Sequence, residues 1–171
     1  PITANNSASL FALEGDLRLV EFHSKANALT DESMEIVAAA AADHGKGIII
    51  HNDAQHFSAG VDLNAFRAYI EAEDWDGIDG FLDRFQKAVC ALKYTPVPVV
   101  GAPSGLAAGG GYEVLAHCDR LVVHTNSVMG LVEAGVGVVP GGGGIKDTFF
   151  RWHAAKDGWD EAAWQTWMNI G

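Results

Sequence analysis

A chain of 171 residues, 49% hydrophobic and 19% charged, is long enough for one domain with a real core and too apolar for a disordered or fibrous protein. A formal net charge of -11 excludes the basic footprint that nucleic acid requires, and no apolar run reaches the roughly 18 residues of a membrane span. The two cysteines, Cys90 and Cys118, make no framework of the secreted kind, so one domain over residues 1–171 in a reducing, cytoplasmic setting is expected.

Pro1 to Asn6 lack the charged start and apolar stretch of a signal peptide. The absent initiator Met fits either a piece of a longer chain or processing. Residues 10–23 alternate as strands do, and Gly15-Asp16 in their middle predicts a hairpin turn. Thr30 is placed as a helix N-cap, with Asp31 and Glu32 in the first turn, where the helix dipole favours acids. That helix runs to about Asp43 and stops at Gly45. Gly47 to His51 is a short apolar run suited to a strand buried on both faces.

Between Phe66 and Asp79 the chain is acidic and without clear period, which predicts helical or loop excursions. Phe81, Leu82, Phe85, Val89 and Leu92 then recur at helical spacing, until Pro96 and Pro98 stop the helix. Strands are expected at Val97–Gly101 and Leu121–His124, separated by a helix opening near Gly110. A last amphipathic stretch covers Ile145 to Trp152. Strands alternating with helices give the fold class α/β.

Three turns rich in small residues carry the chemistry. They are Phe57-Ser58-Ala59-Gly60-Val61-Asp62-Leu63, Gly105-Leu106-Ala107-Ala108-Gly109-Gly110-Gly111-Tyr112-Glu113, and Val139-Pro140-Gly141-Gly142-Gly143-Gly144. Small or missing side chains let bare N–H groups approach a ligand, and N–H groups at a helix start bind developing negative charge. The second turn also sets a carboxylate directly after its glycines.

Together with Gly130-Leu131-Val132-Glu133-Ala134-Gly135 ahead of the third turn, these segments resemble the crotonase, or enoyl-CoA hydratase/isomerase, superfamily. The three motifs stand in the family's order, and the resemblance covers about residues 10 to 155. It implies the crotonase ββα spiral, in which a repeated unit stacks sheets inside a layer of helices. It further implies that the chain is truncated before the usual C-terminal helices, and that a full-length form assembles as a homotrimer or hexamer. Met129 to Gly137, Lys93-Tyr94-Thr95 and Pro103 resemble a bacterial branch in which this module is fused to an NAD-dependent 3-hydroxyacyl-CoA dehydrogenase.

The implied activity is reversible hydration of a trans-2-enoyl-CoA, with acyl-CoA as substrate and no cofactor or metal. Glu113 and Glu133 match the family's catalytic pair. Hydration needs a base for water and an acid for the α-carbon, and burial with like-charge proximity keeps one of two carboxyls protonated. Water activation is assigned to Glu113 and proton transfer to the α-carbon to Glu133. The backbone N–H groups of Ala59 and Gly110 match the oxyanion hole. Lys25, Ala26, Ala28, Ala59, Val61, Asp62, Leu63 and Gly109 are expected along the substrate and CoA. A double-bond isomerase working through Glu133 and a non-catalytic acyl-CoA-binding or assembly module are the alternatives.

Competing motifs fail on chemistry. No Gly-Lys-Ser/Thr follows the glycine runs, so neither is a P-loop. Ser104 stands one place late for a nucleophile elbow. His117-Cys118-Asp119 are consecutive, so their side chains diverge too much to share a metal.

Overall fold

The computed structural model describes residues 1–156 and 158–168. The expected domain span of 1–171 therefore includes four positions, 157 and 169–171, that lie outside the described residues.

The chain opens with a short strand, β1 (Thr3–Ala4), and the expected hairpin of β2 (Ala8–Leu13) and β3 (Leu17–Phe22). Gly15 and Asp16 turn it at φ 76° and 63°, conformations open to Gly and tolerated by Asp. A 3-10 turn at Lys25–Asn27 leads into α1 (Asp31–Ala42). The start of α1 is a reciprocal capping box. Thr30 Oγ1 accepts the Ser33 N–H at 3.2 Å, and Ser33 Oγ accepts the Thr30 N–H at 3.3 Å. β4 (Gly47–Ile50) lies between parallel neighbours, so Ile48 and Ile50 are buried.

The acidic region resolves into α2 (Leu63–Glu71) and the beginning of α3 (Trp75–Lys93). The expected helix from Phe81 thus starts earlier, because Asp74 caps it through the Gly77 N–H at 2.9 Å. Asp62 caps α2 through the Asn64 N–H at 2.9 Å.

β5 (Val99–Gly101) is shorter than expected at its start, where Pro98 has no N–H to pair. β6 (Leu106–Ala108) and α4 (Gly110–Ala116) follow, then β7 (Arg120–Leu121), β8 (Val128–Gly130), a 3-10 turn at Glu133–Val136, α5 (Gly144–Ala154) and α6 (Glu161–Met168). The strand expected at 121–124 ends at Leu121, and Val122 and Val123 are exposed. β6, β8 and α6 are elements that the sequence pattern does not predict.

One sheet has the order β1-β2-β3-β4-β5-β7, antiparallel across its first three strands and parallel from β3 onward. β6 and β8 pair in parallel as a second, two-stranded sheet. The core joins Leu10, Val20, Phe22, Ile48 and Ile50 of the large sheet to Met34 and Val37 of α1 and to Phe81, Phe85 and Val89 of α3. Among the described residues no helix is long and apolar enough to cross a membrane. Nor does any group of three or more His, Cys, Asp or Glu there stand ready to hold a metal.

Candidate active site

The segment 57–62 is fixed from both sides. Toward β6, the Ser58 N–H donates to the Leu106 carbonyl and the Ala108 N–H to the Ser58 carbonyl, each at 3.0 Å. Toward the 3-10 turn, the Leu29 N–H donates to the Gly60 carbonyl at 2.8 Å, and the Asp62 N–H to the Leu29 carbonyl at 2.9 Å. Ser58 Oγ donates to the Asn27 carbonyl at 2.8 Å. The first and second motifs, far apart in sequence, therefore lie side by side.

This packing corrects one expectation. The Ala59 N–H donates to the Ala26 carbonyl at 3.2 Å, so it is not free to receive a thioester oxygen. Within the same loop the available donor is the Val61 N–H. Neither it nor the Gly110 N–H has an acceptor among the described residues. The two are close: a Cβ placed on Gly110 would lie 3.4 Å from the Val61 nitrogen. Extended chain alternates its N–H directions, and placement by motif alone missed that register.

Glu113 stands on α4, only 2% exposed. Its Oε1 accepts the Gly144 N–H at 2.9 Å. Burial pushes its carboxyl up to about 7. The Gly144 and Gly142 N–H groups restrain the rise, and the like charge of Glu133 adds to it. Glu133 is half-buried at the start of its 3-10 turn, where its Oε2 accepts the Val132 N–H at 2.8 Å. Glu113 and Glu133 come from different elements but line the same cavity.

The glycines make room for these acids. A Cβ on Gly142 would lie 2.6 Å from Glu113 Oε2, and one on Gly109 would lie 2.8 Å from Glu133 Oε1. At Gly144 it would meet Glu113 Cγ at 2.7 Å. The third motif is thus the wall against which the first catalytic candidate rests.

Both glutamates line a cavity of about 810 Å³. Ala59, Val61, Gly109 and Gly110 form its polar edge, and Phe66, Ile78, Phe81 and Leu82 are part of its apolar wall. Leu63 also lines it. Lys25 and Ala26 are exposed and Ala28 is half-buried. All three lie on the turn bonded to the 57–62 loop rather than in the cavity lining. Asp62 is likewise outside the lining and serves as the cap of α2. A smaller hollow between α1 and α3, about 270 Å³, carries none of these groups.

One constellation escaped the sequence reading. Behind Glu113, His117 Nδ1 donates to the Glu113 carbonyl at 2.7 Å, and its Nε2 lies 2.9 Å from Asp147 Oδ2. Lys93 pairs with the other oxygen of Asp147. The only available signal was the four-residue interval from Glu113 to His117, which stacks them on one helix face. Nothing in the sequence tied Asp147 or Lys93 to them.

The mixed α/β fold is that of the crotonase superfamily. The chain belongs to the enoyl-CoA hydratase/isomerase family, whose model matches residues 17–152. It is 35% identical over 153 residues to a protein of Bacillus subtilis (strain 168) named as a probable 3-hydroxyacyl-CoA dehydrogenase, covering 88% of this chain and 19% of that one. It is 33% identical over 102 residues to the fatty acid oxidation complex subunit alpha of Idiomarina loihiensis, covering 60% of this chain and 14% of the relative. Among solved structures, DspI of Pseudomonas aeruginosa superposes with a TM-score of 0.77 at 25% identity, over 86% of this chain and 57% of DspI. The chain spans about a fifth or less of these two relatives and just over half of DspI.

Proposed function

We propose that this site hydrates a trans-2-enoyl-CoA reversibly, without metal or redox cofactor, as the hydratase module of a fatty acid β-oxidation protein. The observation that carries the reading is the pair of carboxyls, Glu113 and Glu133, facing one cavity beside two unengaged N–H groups. The thioester oxygen is received by the Val61 and Gly110 N–H groups. Each such donor is worth about 2.7–4 kcal/mol once enolate charge develops. Polarising the carbonyl makes the β-carbon electrophilic. Glu113, titrating near neutrality, takes the proton from the attacking water. Glu133 delivers a proton to the α-carbon. The apolar wall formed by α2 and α3 receives the acyl chain, and the exposed Lys25 turn beside Ala59 faces the CoA side.

Relatives named for fatty acid oxidation and for 3-hydroxyacyl-CoA dehydrogenation support fusion to an NAD-dependent dehydrogenase that would oxidise the product. Assembly as a homotrimer or hexamer belongs to the same reading. The two unpaired cysteines fit a cytoplasmic location.

The test is incubation of the chain with crotonyl-CoA and, separately, with a Δ3-enoyl-CoA, with product identified by mass and chromatography. A water adduct establishes hydration. A shifted alkene from a Δ3-enoyl-CoA, without hydration, replaces it with isomerase chemistry through Glu133. Binding with unchanged thioester leaves a binding module.

A further inference from the structure

Asp147 is 1% exposed and has three basic neighbours, yet only one of its carboxylate oxygens is hydrogen-bonded among the described residues. Lys93, from the end of α3, holds one oxygen. The other lies 2.9 Å from His117 Nε2, but outside hydrogen-bond geometry, so both of these buried atoms lack a hydrogen bond among the described residues. Lys146, on α5 itself, approaches the same oxygen at 3.5 Å. A buried ion pair is by itself weak evidence for stability, and an unsatisfied buried polar atom calls for another explanation.

Its place in the fold supplies one. Asp147 lies in the first turn of α5, where its own N–H donates to the Gly143 carbonyl at 3.0 Å. The same turn presents the Gly144 N–H to Glu113 Oε1. Lys93 thus ties that turn to α3, while His117 abuts it from α4, one helical turn beyond Glu113. We infer that Asp147, anchored by Lys93, is a positioning residue that keeps the Gly144 N–H on the Glu113 carboxyl. The charged groups around this seam are Glu133 beside Glu113, His117 on α4, Lys93 on α3 and Lys146 on α5.

Two physical effects of removing the Asp147 charge have opposite signs. If Asp147 acted only as a nearby negative charge, neutralising it would let Glu113 ionise more easily. If it positions Gly144, neutralising it removes a donor from the ionised carboxyl and makes ionisation harder. The inference rests on Glu113 being the proton-transfer group, but its test needs no turnover.

The experiment follows the Glu113 side-chain carbon and the Gly144 amide by NMR across pH, in the 171-residue chain and in Asp147→Asn and Lys93→Met. In the parent chain both signals should titrate together near pH 7. In Asp147→Asn the Glu113 midpoint should rise by about one pH unit, the worth of one charge-assisted hydrogen bond. The Gly144 amide should then cease to follow it. A midpoint that stays or falls overturns the inference. Lys93→Met breaks the same link from the α3 side and gives a second reading should Asp147→Asn not fold. A Gly144 amide that still follows Glu113 in Lys93→Met overturns it equally. Failure of crotonyl-CoA hydration would strike the proposed activity and leave these titrations standing.

Discussion

Replacing Glu113 by Gln should make the protein more stable at alkaline pH. The carboxyl titrates near 7 in the folded chain against an ordinary value of 4.5. Between those values the folded state holds more protons than the unfolded one. Stability therefore falls as pH rises from about 4.5 to about 7 and is level above that. The difference in midpoints corresponds to about 3 kcal/mol at full ionisation, and the near-complete burial of Glu113 means solvent screening removes little of it. Glutamine is neutral throughout and escapes this loss. It has one oxygen where glutamate has two, so one of the Gly142 and Gly144 N–H groups faces an amide nitrogen, at a cost of about 1 kcal/mol. The expected balance is a variant about 2 kcal/mol more stable than the parent at pH 8, and no more stable at pH 4.5. Urea denaturation at the two pH values, followed by tryptophan fluorescence, measures this directly. An offset between variant and parent that is the same at both pH values would show that burial does not hold this carboxyl protonated.

The remaining expectations concern the chemistry. With Glu113 as the base, kcat/KM for hydration should rise with pH through about 7 as the carboxyl ionises. A rate that falls through that range would make Glu113 the acid and reverse the two roles. Glu133→Gln should lower kcat about 10²- to 10⁴-fold in a steady-state hydration assay. Because Glu133 is half-buried at a turn, the same change should leave stability within about 0.5 kcal/mol by denaturation. Gly142→Ala drives a Cβ to 2.6 Å from Glu113 Oε2 and 2.5 Å from Phe85 Cε1. It should destabilise the fold by about 1–3 kcal/mol and reduce hydration about 10²-fold, read by thermal unfolding and the same assay.

The parts of this fold that were legible in the chain are those governed by neighbours in sequence. Gly15-Asp16, Thr30 with its first-turn acids, and the apolar run at Gly47 to Ile50 each state their structure within a few residues. The small sheet was not legible. Leu106–Ala108 and Val128–Gly130 are three-residue strands of unremarkable composition, and each becomes a strand only by pairing with the other. α3 was recognised by its apolar spacing only where the acidic residues thin out, although Asp74 starts it. In the site, the glycine runs and the two glutamates could be picked out as candidates, and the structure brings them to one cavity. Which N–H stays free was not readable, because Ala59 is engaged by Ala26 from a distant turn. The His117, Asp147 and Lys93 cluster is assembled from three helices and leaves no local trace.

The outer wall of the cavity carries a calorimetric consequence. α2 has no buried residue, and Leu63, Ile70 and Trp75 along the cavity lining are 52%, 49% and 61% exposed. An acyl chain laid against this wall removes its own surface and theirs from water together. Association should therefore show a negative heat-capacity change that deepens with each added methylene, while CoA lacking an acyl tail shows little of it.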